Sequence, residues 1–196
     1  MAEVQPYQTT EEVLARLERN DKGQVKNTMQ NVYLVFMCDP MLRGAVAYNI
    51  LTGRIDICKP LWWERSASAV NDTDFNYLML YLENRYGLNH ENRIRKALTV
   101  VAHQNQYHPI RDYLNTLQWD GTERIPYVLH HFLGAEVSDY THEVMKLFLL
   151  GAISRVFKPG CKFETMLCLV GGQGAGKSTF FRLLACRDEW FSDDLK

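Results

Sequence analysis

Apolar positions along this chain recur at two spacings, and the switches between them mark out its elements. Thr9 and Glu12 have the separation of a capping box ahead of Val13, Leu14 and Leu17, which predicts a short helix ending near Asn20 to Gly23. Val25, Met29, Val32, Tyr33 and Phe36 then recur at helical intervals until Asp39-Pro40 stops them, because the residue before a proline avoids the helical region. Ala45 to Ile50 and Arg54 to Cys58 alternate with a period of two around Leu51-Thr52-Gly53, the pattern of a β-hairpin. Beyond the loop at Pro60-Leu61-Trp62-Trp63, Asp72 is placed to cap a helix carrying Phe75, Leu78, Met79, Leu82 and Tyr86 on one face, with Gly87 closing it. The spacing of Ile94, Leu98 and Val101 predicts another helix from Glu91 to Asn105. Pro109 interrupts the pattern before a helix from Arg111 to Gln118, and Trp119-Asp120-Gly121 reads as a turn. A short helix around Tyr127 to Phe132 stops at Gly134. A longer one, Ser138 to Phe157, is apolar nearly all round at Leu147 to Ile153, which predicts a central position. Lys158-Pro159-Gly160 ends it, and the run from Thr165 to Val170 reads as a strand.

That run leads straight into Gly171-Gly172-Gln173-Gly174-Ala175-Gly176-Lys177-Ser178, which fits the phosphate-binding pattern G-x-x-x-x-G-K-[ST]. The chemistry requires glycines so that backbone N–H groups can turn inward on phosphates, a lysine to reach the β and γ phosphates, and a hydroxyl to hold Mg²⁺. Lys177 is therefore the candidate catalytic residue and Ser178 the candidate metal ligand, with ATP and Mg²⁺ as the expected cofactors. The pattern gains weight from its place between a strand and a helix whose Phe180, Phe181 and Leu184 can pack back on that strand. The fold class expected is α/β: an α-rich N-terminal region with a small hairpin over residues 1–158, then the first strand, loop and helix of a P-loop ATPase domain over residues 159–196. Such an ATPase also uses an acidic residue at the end of a second strand to hold Mg²⁺. Asp193 and Asp194 follow Trp190-Phe191-Ser192, a lead-in too short and too polar for that strand. The expectation is the front part of a longer protein, or a truncated gene product.

Bulk properties narrow the class only a little. Hydrophobic residues make up 46% and aromatics 12%, ample for a packed core. The net charge is −1, with basic residues in excess over Asn92 to Arg182 and acidic ones over Met1 to His90. This mild tilt permits a polyanion partner without demanding one. Arg93, Arg95 and Lys96 on one helix, and Arg155, Lys158 and Lys162 before the strand, can either contact a nucleic-acid backbone or form solvated helix faces. Trp62, Trp63, Trp119, Tyr107 and Tyr113 can stack on unpaired bases or pack internally. The apolar stretch Leu147 to Ile153 is far short of the roughly 20 residues that span a bilayer. The N-terminal residues lack the basic start and apolar middle of a secretory signal, so a cytoplasmic location is expected. Five scattered cysteines form no C-x-x-C pair, and His103, His108, His130 and His131 lack the spacing of a zinc hydrolase.

With these blocks in order, the chain resembles the virulence-associated protein E family of phage, plasmid and genomic-island replication proteins. The resemblance runs through Trp62-Trp63, Tyr86-Gly87-Leu88, His108-Pro109-Ile110-Arg111-Asp112-Tyr113-Leu114, Trp119-Asp120-Gly121, Leu133-Gly134-Ala135-Glu136 and Pro159-Gly160-Cys161-Lys162-Phe163. It continues through Gly171 to Thr179 and Trp190-Phe191-Ser192-Asp193. What it implies is a P-loop ATPase in DNA replication, similar to hexameric helicases and often fused or partnered with a primase. Gly171, Gly172, Gln173, Gly174, Ala175, Gly176, Lys177, Ser178 and Thr179 would cradle the phosphates. Single-stranded DNA, a primase and further copies of the chain are the implied partners. A competing class is a non-enzymatic DNA- or partner-binding module acting through residues 24–157, with the loop as a remnant. A third is a small nucleotide or metabolite kinase, against which the long helical N-terminal region speaks.

Overall fold

Side-chain caps decide where most helices begin in the structure, a computed structural model that describes residues 9–192. Thr9 and Glu12 form the expected box at the start of α1 (Thr10–Arg16). Thr28 accepts the Asn31 N–H at the start of α2 (Met29–Cys38). The hairpin strands are β1 (Val46–Asn49) and β2 (Arg54–Ile57), antiparallel, with Val46 opposite Ile57 and Asn49 opposite Arg54. The cap of α3 (Asp72–Tyr86) is Asn71 rather than Asp72: its side chain accepts the Asp74 N–H at 2.9 Å, and Asp74 accepts the Asn71 N–H at 3.1 Å. After α4 (Glu91–Gln104), α5 (Pro109–Thr116) starts at its proline instead of breaking there, since the first helical position needs no N–H donor. Pro126 occupies the first turn of α6 (Ile125–Leu133) in the same way. Ser138 caps α7 (Asp139–Phe157), and α8 (Lys177–Leu184) completes the α-helices of the described residues. The sequence expectation at Asp193 and Asp194 lies outside them.

Packing groups these elements into two compact units, Met1–Asp112 and Tyr113–Lys196. Packing gathers α6, α7 and residues 171–179 in the second unit, and the boundary expected between residues 158 and 159 falls within it.

In the first unit, Phe36, Leu42, Leu78, Leu82, Leu88 and Ile94 are wholly buried, and α2 and β1 lie against α4. Polar side chains within this core are paired. Asp39 Oδ1 accepts the N–H groups of Met41 and Leu42, while its Oδ2 accepts the Tyr81 hydroxyl at 2.9 Å and the Tyr86 hydroxyl at 2.5 Å. Asp56 accepts the Tyr107 hydroxyl at 2.6 Å and the Asn49 amide at 2.9 Å, tying the chain after α4 to the hairpin. Asp74 accepts Arg65 Nε at 2.8 Å and Trp63 Nε1 at 2.7 Å. Each pairing removes the several kcal/mol, on the order of 2–7, that an unsatisfied buried polar group costs.

The second unit has a thinner core. Leu129, Met145 and Phe180 are buried, with Phe148, Leu149, Leu167, Leu169 and Phe181 partly so. The central position expected for α7 is not observed: it packs against α6 and leaves Leu147, Leu150, Ile153 and Phe157 between 42% and 50% exposed. Its apolar circumference exceeds the surface offered to it by the described residues. Gly151 lies buried in α7 because the Phe163 ring rests directly on it, and a Cβ there would overlap that ring.

The strand expected over Thr165 to Val170 is also absent from the described structure. A strand exists through the hydrogen bonds of a neighbour, and the regular sheet among the described residues consists of β1 and β2 alone. The observed fold is thus helix-rich with a small antiparallel sheet, and the α/β character expected near the loop is not expressed as strand pairing. The two-residue alternation persists in burial: Leu167 and Leu169 pack on the second core, while Met166 is 82% and Val170 97% exposed.

Candidate functional site

The nine residues singled out by sequence, Gly171 to Thr179, occupy one exposed loop and the first turn of α8. Phe180 fixes the helix: it is buried against Leu129 and Met145, and its N–H donates to the Gly176 carbonyl at 2.8 Å. The loop reaches this helix through two left-handed residues, Gly174 at φ +81° and Gly176 at φ +78°. Side chains rarely tolerate that conformation, so glycine at both positions lets the chain curl tightly. Curling of this kind gathers consecutive N–H groups on one concave side and delivers them to the positive end of a helix dipole.

Lys177 opens α8 and turns back over the loop. Its Nζ donates to the carbonyls of Gly171 at 2.8 Å and Gly172 at 2.7 Å. The ammonium is thereby held at the loop entrance, half-buried, with Ser178 and Thr179 exposed beside it in the same helical turn. A helix N-terminus, an ammonium and a hydroxyl form a donor set suited to a multiply charged phosphate and a hard divalent cation.

Four of the six basic residues flagged as nucleic-acid candidates have nearer partners. Arg93 donates to the Asn27 carbonyl, and Arg95 pairs with Glu91 at 2.9 Å while lying 3.8 Å from the Phe75 ring centroid. Arg155 donates to the Phe163 carbonyl at 3.2 Å, and Lys162 pairs with Glu164 at 2.6 Å. Among the aromatic candidates, Trp63 stacks on Tyr77 with centroids 5.0 Å apart, and Tyr107 is bound to Asp56. Tyr113 meets the edge of Trp190 and donates to Cys186 Sγ at 3.7 Å. Trp119 differs from them, being 78% exposed beside a turn that is itself pinned. Asp120 accepts Arg124 through both oxygens, at 2.9 and 2.6 Å, and these bonds together with the Thr122 N–H hold its carboxyl well below the usual carboxylate range.

Sequence reasoning missed the elements that flank the loop. Leu133, Gly134 and Ala135 at the end of α6, and Tyr140 and Val144 on α7, share a cavity with Gly171, Ala175 and Lys177. The glycine at 134 announces the end of a helix, but no local spacing connects that end to a loop almost forty residues later. The α6–α7 connection is well built: His130 Nδ1 lies 2.8 Å from the Ala135 carbonyl, and the Thr141 hydroxyl donates to the Glu136 carbonyl at 3.0 Å.

The family model of the virulence-associated protein E-like domain matches residues 114–196, which takes in α6, α7, the loop and α8. No curated protein matches the chain.

Proposed function

We propose, on the premise that residues 114–196 are a virulence-associated protein E-like domain, that this chain binds a nucleoside triphosphate with Mg²⁺ at Gly171 to Thr179. We further propose that it serves an ATP-dependent DNA replication protein of the helicase type. The observation that carries the reading is the placement of Lys177 Nζ on the carbonyls of Gly171 and Gly172, over a loop curled by Gly174 and Gly176. In this reading Lys177 exchanges those neutral acceptors for β and γ phosphate oxygens, which are charged and bond it more strongly. Backbone N–H groups at the start of α8 take further phosphate oxygens, and Ser178 supplies a hydroxyl to Mg²⁺. The bound metal would neutralise charge between the phosphates. Single-stranded DNA, a primase and like subunits are the partners this reading entails.

Titration of Mg-ATP into the intact chain and into Lys177→Ala tests the proposal. The variant is expected to lose roughly one to two orders of magnitude in affinity, the worth of a hydrogen bond to a charged group, with its circular dichroism unchanged. ATP turnover stimulated by single-stranded DNA would establish the enzymatic part. Absence of Mg-ATP binding by the intact chain would contradict the reading and favour a DNA- or partner-binding role for residues 24–157.

A further inference from the structure

A triphosphate tail is satisfied by N–H groups, an ammonium and a metal, and it has no use for apolar surface. Yet the loop is bordered by apolar surface. A cavity of about 390 Å³ in the second unit runs from Gly171, Ala175 and Lys177 to the end of α6 and the start of α7. Its walls include the aliphatic Leu129, Leu133 and Val144, and its volume lies within the range of small-molecule sites, roughly 300–1,000 Å³. One aromatic lines it: Tyr140, in the first turn of α7, is 76% exposed, so its side chain is accessible to a ligand. The wall opposite the loop is held in place by the bonds from His130 to Ala135 and from Thr141 to Glu136. A cavity of mixed polar and aliphatic lining with one aromatic, opening beside a phosphate-type donor set, matches a molecule that is flat and heteroaromatic at one end and polyanionic at the other.

We infer that the cavity between the α6–α7 connection and the phosphate loop receives the base of the nucleoside triphosphate, with Tyr140 stacking on it. The inference rests on the phosphate-loop reading and adds to it the residues that distinguish a nucleotide from a bare polyphosphate. Base recognition then belongs to the helical hairpin of α6 and α7, and phosphate recognition to the loop and α8.

Two ligands separate the two readings: Mg-ATP, and Mg-tripolyphosphate, which has the tail without the base. Both are titrated calorimetrically into the intact chain, Tyr140→Ala, Tyr140→Phe and the cavity-filling Val144→Trp. Tyr140→Ala is expected to weaken Mg-ATP about tenfold, the loss typical of one aromatic–base stack, while tripolyphosphate affinity stays put. Tyr140→Phe retains ATP affinity, and Val144→Trp excludes ATP but still admits tripolyphosphate. If Tyr140→Ala and Val144→Trp bind Mg-ATP as the intact chain does, while Lys177→Ala does not, the base site is wrong and the phosphate loop stands. Equal loss of both ligands in these variants points to damaged packing and likewise overturns the base site. If the intact chain binds neither ligand, the phosphate-loop reading fails, and this inference fails with it.

Discussion

In the first unit, Asn31, Asp39, Asn49, Asp56 and Asp74 are each at most 7% exposed, and each is bonded to a partner within the unit. In the second, the polar groups of interest lie at the surface, above a core of three buried side chains, Leu129, Met145 and Phe180. The difference separates two uses of polar chemistry. A buried carboxylate such as Asp39, accepting two tyrosines and two amides, specifies how α2 and α3 meet and has nothing left for a ligand. Lys177, by contrast, holds only neutral carbonyls of its own loop, which a phosphate can displace.

The largest expected effect tests whether the first unit's stability is as concentrated as its packing. Leu78→Ala, at a position of zero exposure, should cost about 2–5 kcal/mol in chemical denaturation. Leu150→Ala, on the half-exposed face of α7, should change stability by no more than about 0.5 kcal/mol. Comparable costs at both positions would erase the contrast. A smaller effect is expected at Gly151→Ala, where the new methyl must displace the Phe163 ring. A loss of about 1–3 kcal/mol in the transition reporting on α7 would fit that overlap, with the first unit's transition unmoved.

The smallest effect is an alkaline pH dependence of the first unit. Burial and the nearby Asp39 carboxylate push the Tyr81 hydroxyl up to about 12, and burial with the bond to Asp39 raises Tyr86 further. Their folded values lie above the unfolded value of about 10, so the stabilisation is fully present below pH about 10 and drains as pH rises through the folded values. Tyrosinate absorbance followed against pH should show a late-titrating fraction that disappears on unfolding. Burial alone, and Tyr107 on Asp56, leave part of that fraction in Asp39→Asn. The carboxylate's share is the amount by which the variant titrates earlier, and an unchanged titration would show that it contributes nothing.

How much could be read from the sequence divides along the same line. The hairpin, the Thr9–Glu12 box and the end of α3 at Gly87 depend on neighbours within a few residues, and they stand where spacing put them. The glycine pattern from Gly171 to Ser178 can be read for the same reason, as contiguous residues, and the phosphate chemistry attached to it is the proposal. Pairings such as Asp39 with Tyr86, or Asp56 with Tyr107, join positions roughly fifty residues apart, and no periodicity marks them. The segment Thr165 to Val170 fails differently. Its alternation is real, since Leu167 and Leu169 are turned to the core, but a strand is a property of a pair and the pattern of one segment cannot supply its neighbour. The same limit explains α7: apolar composition measures what a helix can bury, and the packed neighbours decide how much it does.

On the proposed function, ligand chemistry resides in the loop and α8 while the first unit is occupied with holding itself together. Backbone hydrogen exchange on the intact chain, with and without Mg-ATP, tests this division most directly. Slow exchange in α2 and α4 that nucleotide leaves unchanged is expected, together with new protection over Gly171 to Leu184. Protection appearing in α2 or α4 with none in the loop would contradict it.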